Sequence, residues 1–522
     1  MLVDKLLEKK IGDEFALTGM WWVPTPHGVQ NPESKSFGTL TFTSDGKFRL
    51  CTIGALRSDR LEETDLPNII AEGPPAINTV WGRSATGESI TLFDCLNVHM
   101  PFDLSNGTGT LAVAYEAETV LVTKSKKWFA NVEDVGIDQI RLRYKHLTAW
   151  VSASGISSPK AEDIYGMEKG GRLYFINRPF VLQTVDIGDF VISLRVGYNL
   201  TFNNIAISEP EDKPTLTYAN DTFISIKPKE GKITLSESKK LEKTIWHFLS
   251  LMMGERTHIQ SIECIIKNSD KKGDSDTVME FPSIRATQRI EKVKQPDMLF
   301  SYREIAGLFK SALRKMFVAE MQPLYNQFFA ELLNPSVYSE DEFMAAIRAI
   351  EVFHRRAVGG NYVTKSDYER YEDQFASLVD ALMEQCEFET LEESNEKDLK
   401  KSLNQRLKYA YQFSLNKRLN DVLRDQAVFL EIFVDKNANS KVRNYFTNKI
   451  VKTRNYYTHY DDDDKEEAIT DPKELKLMSQ RLIALLYMLL LHYVGIPKDD
   501  VDAAIRKHAA DSYSRFGWLK PY

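Results

Sequence analysis

The chain has 522 residues, 43% of them hydrophobic and 27% charged; this is ordinary for a soluble globular protein and predicts about three domains with a sizeable core. A formal net charge of -7 excludes a surface coated for indiscriminate nucleic-acid binding, so any RNA site must be local. Cys51, Cys95, Cys264 and Cys386 form no CxxC, which argues for buried thiols in a reducing compartment rather than a disulfide framework or a zinc site.

Met1 to Asp13 is polar and helical in character, with no basic stretch leading into an apolar one. A cytoplasmic protein is expected. Residues 15 to about 225 read as β. Phe37 to Ile53 alternates around Ser44-Asp45-Gly46, and Thr79 to Phe93 alternates around Ala85-Thr86-Gly87, each a hairpin signature. Leu111 to Val122 and Gly171 to Ile176 read as strands, and Val181 to Val196 as a hairpin turning at Asp186 to Asp189. Short strands with turns between them predict an antiparallel sandwich-like region, with a division near residues 125–140 left open. Trp21, Trp22, Trp81, Trp128 and Trp150 lie here and are read as core rather than as a stacking surface.

From Ser236 the period becomes helical up to Gly254. Thr257 to Lys267 and Thr277 to Phe281 form a further hairpin pattern, and Ala286 to Pro296 reads as a linker. Beyond Tyr302 helices dominate: Tyr302 to Phe317, Pro323 to Leu333, Glu340 to Val358 and Ser366 to Cys386. A stripe runs from Leu403 to Ala427, and a helix follows Asn437-Ala438-Asn439-Ser440 with Val442, Phe446 and Ile450 on one face. Leu482 to Val494 is too short to span a bilayer and reads as a buried helix, so no membrane partner is expected. The expected fold class is α+β multidomain: a β-rich region over 1–235, a connecting helix, hairpin and linker over 236–300, and an all-α bundle over 301–522.

The chemistry concentrates in Lys452-Thr453-Arg454-Asn455-Tyr456-Tyr457-Thr458-His459-Tyr460. An arginine can hold a phosphate and an imidazole can move protons at neutral pH. Nine histidines give on the order of one accidental match to such a pair, and Arg348 with His354 supplies a second. Arg348 and His354 lie within one unbroken helical pattern, on different faces. The step from Arg454 to His459 is also poor for a continuous helix. Asp461 to Asp464 follow, however, and acidic residues at a helix C-terminus oppose its dipole, so the helix is expected to loosen near Thr458. Residues 396–460 carry 14 Lys/Arg against 6 Asp/Glu, a basic surplus in an acidic chain. No GxxxxGK[ST], GxSxG or HExxH motif occurs, and no cofactor or metal is expected.

Arg454-Asn455 followed by His459, late in a helix of an all-α region, resembles the HEPN ribonuclease signature. Phe343 to Arg356 together with Val451 to Tyr460 look like the HEPN domain of ApeA proteins. Gly19 to Pro24, Gly38 to Phe42, Ile53-Gly54 and Gly82 to Leu92 look like the β domain that precedes it in that family. The resemblance implies an RNase of bacterial abortive-infection defence against phage. It makes Arg454, Asn455 and His459 catalytic, and the β region the part that senses a phage-derived trigger. It also implies a homodimer through the HEPN domain with RNA, such as tRNA or another structured RNA, as substrate. Glu351 is a candidate supporting carboxylate, while Lys452, His354, Arg355, Tyr456 and Tyr457 are candidate RNA contacts. Each has a structural alternative: a surface acid for Glu351, a helix end for His354 and Arg355, packing for the tyrosines. The rival function is a HEPN-type module that binds RNA or protein without cutting.

Overall fold

The computed structural model describes residues 11, 13–24, 35–42, 46–54, 56, 77–99, 112–152, 156–157, 174–175, 180–203, 215–267, 275–282, 298–329, 339–386, 393–460 and 465–510. The chain divides into two compact units, Met1–Arg314 and Lys315–Tyr522. Most of the Met1 to Asp13 segment, the expected linker Ala286 to Pro296 and the acidic run Asp461 to Asp464 lie outside the described residues.

The first unit is antiparallel β, built on a six-strand barrel. Its staves are β1 (Phe15–Trp22), β2 (Ser36–Phe42), β3 (Phe48–Ile53), β4 (Ile77–Ser84), β5 (Ser89–His99) and β6 (Ala112–Ala117). They run in the order β5-β4-β1-β2-β3-β6, and β6 closes onto β5. Alternation decides which face points inward. In β3, Phe48, Leu50 and Thr52 are buried while Arg49, Cys51 and Ile53 are exposed. The strands of both hairpins expected from sequence pair antiparallel, with Gly46 and Gly87 at positive φ.

Barrel closure rests on one bent hairpin. Leu111 to Val122 does not form a single strand: it breaks at Glu118 into β6 and β7 (Thr119–Thr123). Across from the break, Asp94 of β5 adopts φ 54°. The near half of β5 pairs with β7 (Phe93 with Thr119), and the far half pairs with β6 (Leu96 with Glu116). The same ladder thus serves the barrel beyond the bend and the remaining strands before it.

The remaining strands are β8 (Gln139–Tyr144), the small pair β9 (Ile156–Ser157) and β10 (Tyr174–Phe175), then β11 (Phe180–Ile187), β12 (Phe190–Asn203), β13 (Thr215–Pro228), β14 (Ile259–Lys267) and β15 (Ser275–Pro282). Except for β9 and β10, they continue from β7 in the order β15-β14-β8-β13-β12-β11. The hairpin expected over 257–281 is hydrogen-bonded into the sheet, β14 to β8 and β15 to β7.

Helix α1 (Leu147–Val151) precedes α2 (Leu235–Met253), which starts at Thr234 rather than Ser236. Thr234 and Glu237 exchange hydrogen bonds as a capping box, and Gly254 ends the helix at φ 81°. Two short helices follow, α3 (Tyr302–Ile305) and α4 (Phe309–Met316), where one helix is expected from sequence; the unit boundary falls within α4.

The tryptophans are mainly core. Trp21, Trp22, Trp81 and Trp150 are buried and Trp128 is half-buried. Trp150 donates to Phe300 O at 2.7 Å and meets Phe248, Tyr302 and Phe309. Trp21 lies over Gly82, where a Cβ would come within 2.3 Å of its ring, so only glycine fits there.

The second unit is helical. It contains α5 (Gln322–Gln327), α6 (Ser339–Phe353), α7 (Lys365–Glu369), α8 (Glu372–Gln385) and α9 (Glu393–Leu407). After these come α10 (Leu415–Arg424), α11 (Ala427–Phe433), α12 (Ser440–His459), α13 (Pro472–Val494) and α14 (Lys498–Ala510). Helix α13 is apolar on nearly every side and packs against α6. It is long and apolar enough to cross a membrane, but 72% of its most apolar window is buried inside the unit. Across that contact the Lys476 ammonium reaches the buried Glu342 carboxylate.

At the end of α6 the backbone widens into a π turn, His354–Val358, closed by Gly359 N donating to His354 O. Beside it sits Arg418, 1% exposed. Its guanidinium donates to Phe413 O (3.1 Å), to His354 Nδ1 (3.2 Å) and to Gly360 O (3.2 Å). His354 Nε2 lies 3.6 Å from Asp421. Burial, with the Arg418 charge adding to it, lowers the His354 pKa, so the ring stays neutral. With Nδ1 accepting from Arg418, the ring proton sits on Nε2, which faces the Asp421 carboxylate beyond hydrogen-bond range.

Burial pushes the Glu280 carboxyl up to about 7, and burial beside Glu280 pushes Glu242 up to about 8. An acid with a raised folded pKa keeps its proton in the fold and loses it on unfolding. Its stabilising effect is complete below the ordinary value of 4.5 and is lost as pH rises through the folded value. Thermal unfolding between about pH 5 and about pH 8 should show the wild type losing more stability than Glu280→Gln; parallel curves would contradict this. At Gly360 a Cβ would sit 2.3 Å from Arg418 Nη1. Because three bonds pin that guanidinium, Gly360→Ala should cost about 2–3 kcal/mol in urea unfolding, with no such loss at exposed Gly359→Ala beyond the strain of its positive φ.

Candidate functional site

The motif is carried by α12. Asn439 caps its start, its side chain accepting from Val442 N at 3.0 Å. The buried stripe is Phe446, Thr447, Ile450 and Thr453, with Val442 only half-buried. Asn416 and Asn448 join α10 to α12 at 2.8 Å.

Contrary to the sequence expectation, the helix does not loosen at Thr458. It runs through His459, and only Tyr460 turns left-handed, with φ 53°. The reason lies in the chain that follows. The buried Thr453 hydroxyl donates to Lys449 O at 2.7 Å and accepts from Ile469 N at 3.0 Å. The Tyr457 hydroxyl donates to Ile469 O at 3.1 Å. Thr458 Oγ1 donates to Arg454 O at 2.7 Å, and Tyr460 N closes the last turn on Tyr456 O. These contacts hold the final turn in register.

A five-residue step on a continuous helix separates Arg454 and His459 by about 140° around the axis and about 7.5 Å along it. Arg454 flanks the buried stripe and is half-buried; His459 lies opposite the stripe and is exposed. Asn455 links them. Arg454 Nη1 donates to Asn455 Oδ1 at 3.3 Å. Asn455 in turn is four residues before His459 and shares its side of the helix. The guanidinium is thereby drawn from the flank of the core toward the exposed face.

The other candidates separate by burial. Lys452 is half-buried on the His459 side and lies 3.9 Å from Glu467. Tyr457 is an anchor: besides its bond to Ile469, its ring meets Phe343 of α6 edge-on at 6.5 Å. Burial, then Glu340 and the neighbouring tyrosines, raises its pKa, so the phenol stays a donor. Tyr456 is half-buried and packs against Tyr457 and Tyr460, the last 66% exposed. Tyr460 thus offers the more open ring of this group.

His354 does not serve as a surface contact in this fold: it is fully buried against Arg418, Asp421 and Phe413. Burial and the Arg355 charge lower the Arg418 pKa, and the Glu351 charge opposes them. Glu351 is half-buried and Arg355 is exposed. Arg418 itself was not singled out from sequence. Its signal is an arginine directly before Leu419 in the apolar stripe of α10, a position an unpartnered charge would avoid. Among the described residues no three His, Cys, Asp or Glu side chains gather as a metal site.

Two family models match the sequence: ApeA N-terminal domain 1 over residues 16–316, and Apea-like HEPN over residues 344–500. HEPN domains are a family of RNase domains. Comparison with curated proteins and with solved structures gave no match. The first match ends close to the boundary between the compact units, and the second begins within α6 and includes α12. Because the first match alone spans more than half of the sequence, the chain belongs to the ApeA family, with an ApeA N-terminal domain followed by an Apea-like HEPN domain.

Proposed function

We propose that the chain is a metal-independent endoribonuclease that cuts RNA by attack of its own 2′-OH, acting in abortive-infection defence against phage. The observation that carries the reading is the Arg454–Asn455 contact beside an exposed His459 within the HEPN match. His459 acts as general base toward the 2′-OH or as acid toward the leaving 5′-oxygen. Arg454 stabilises the charge that grows on the non-bridging phosphate oxygens. Asn455 orients the guanidinium. Products carry a 2′,3′-cyclic phosphate and a 5′-OH.

One imidazole does not fill both proton roles in a single step. On an unbroken helix it is also turned well away from its arginine. Both difficulties disappear when two α12 ends face each other in a homodimer, each His459 working with the partner chain's motif. The β unit then supplies the sensing of a phage-derived trigger.

Incubating total RNA with the purified chain in EDTA should give cleavage that falls at least about 100-fold in His459→Ala and Arg454→Ala. Their melting temperatures should stay near wild type, because His459 is exposed and Arg454 half-buried. Cleavage equal to wild type in His459→Ala, or cleavage only with added metal, overturns the reading. RNA binding without cleavage, unaltered by loss of Arg454, favours the non-cutting module. In cells, growth arrest on overexpression should vanish with Arg454→Ala, and phage yield should rise with the same change.

A further inference from the structure

The helical unit holds a cleft of about 780 Å³ between α7, α8, α9 and the turn after α9. None of its lining residues belongs to α12. Its floor is aromatic. The Tyr368 and Phe375 rings stack with centroids 4.6 Å apart, and Tyr411 adjoins Tyr368 at 5.3 Å. The Tyr368 hydroxyl donates to Leu407 O at 2.7 Å, which fixes the ring. Tyr409 lines the rim and is 59% exposed.

One wall is cationic. Lys397, Lys401 and Lys408 line it at steps of four and seven residues, which places them on one face of α9 and its extension. Lys400 also lines the cleft but is held by Asp380 at 2.7 Å, and Lys365 by Glu369 at 3.3 Å. Lys397, Lys401 and Lys408 have no ion pair among the described residues. Glu369 and Glu372 contribute the acidic part of the lining. Like charges four residues apart on a helix destabilise it. An anion laid along that face removes the penalty.

Aromatic floor and cationic wall together fit a ligand with a flat π-face and adjoining phosphates. A cleft of this size suits a small-molecule or nucleotide-sized group. An acidic peptide would use the lysines but not the stacked floor. Resting on the reading of the chain as an RNA enzyme, we propose that this cleft binds an unpaired nucleotide of single-stranded RNA. Its base stacks on the tyrosines and its flanking phosphates lie on Lys397, Lys401 and Lys408. The cleft is a substrate-holding site distinct from the residues of α12.

The test uses the full-length chain and a fluorescent single-stranded 2′-O-methyl oligoribonucleotide, which cannot be cut because its 2′-oxygen is blocked. Anisotropy titrations over a range of salt should show the Lys397→Ala, Lys401→Ala, Lys408→Ala triple variant binding at least about tenfold more weakly. Its slope of log affinity against log salt should fall by about 2, since each phosphate neutralised on a single strand contributes about 0.7. Tyr409→Ala should weaken binding about tenfold and leave the slope unchanged. Arginine at the three lysine positions should restore both affinity and slope. Unchanged affinity in either alanine variant overturns the proposal. Because the probe is never cleaved, its binding reads the cleft alone; growth arrest in cells that persists with Arg454→Ala sinks the nuclease reading and leaves the cleft standing. Normal cleavage with silent cleft variants sinks the cleft alone.

Discussion

The tie between Thr453 and Ile469 governs the geometry of the motif. One hydroxyl, fully buried, donates backward to Lys449 and accepts forward from the backbone of Ile469, while Tyr457 returns a bond to the same residue. The last turn of α12 is thereby stitched to the chain that follows it. Repulsion between acidic residues and the helix C-terminus is worth only a few tenths of a kcal/mol at an exposed end. Two buried or half-buried hydrogen bonds outweigh it. The helix therefore stays intact through His459, and Arg454 and His459 are held apart on one chain. For the proposed cleavage, it is a second motif that closes the gap.

In the β unit the corresponding constraint is the bend shared by Asp94 and Glu118. A flat hairpin of β5 against β6–β7 would pair with neighbours on one level only. Bent, it gives its outer half to the barrel and its inner half to the sheet that runs on through β15, β14 and β8. Glu118 N bonds to Phe93 O across the bend at 3.1 Å, so the ladder is scarcely interrupted. The register carries from barrel to sheet without a separate linker, which is why the 236–300 hairpin joins the same unit.

What could be read from sequence was local. The turns at Gly46, Gly87 and Gly188 announce themselves through glycine between alternating apolar runs, and all three sit at positive φ. The α2 capping box differed from expectation by two residues because Thr234 and Ser236 are equally good caps by type, and only Glu237 three places on selects the first. What could not be read was tertiary. The stripe from Leu403 to Ala427 keeps helical spacing, yet the chain leaves the helix between α9 and α10. There Tyr362 N bonds to Tyr411 O at 2.7 Å and Phe413 N to Gly360 O at 2.8 Å. Those partners lie some fifty residues away, and no window of sequence contains both. The same holds for Arg418, whose role depends on His354 and Gly360.

The two Arg/His pairs show how burial resolves what spacing leaves open. Arg348 and His354 are six apart, Arg454 and His459 five, and neither step puts both residues on one helical face. In the first pair the arginine is exposed and the histidine is sealed into the bundle, held neutral and accepting from Arg418. A histidine so engaged has spent Nδ1 on the fold, and its Nε2 is sealed away from solvent. In the second pair the order is reversed: the histidine is exposed, and the arginine, half-buried, is turned by Asn455 toward the histidine's side. An imidazole that must trade protons with a substrate needs free ring nitrogens and an open approach. A guanidinium that must hold a phosphate gains from partial burial, where its charge is less screened. Only the second pair meets both requirements, and it does so because the buried stripe of α12 passes beneath Arg454 and opposite His459.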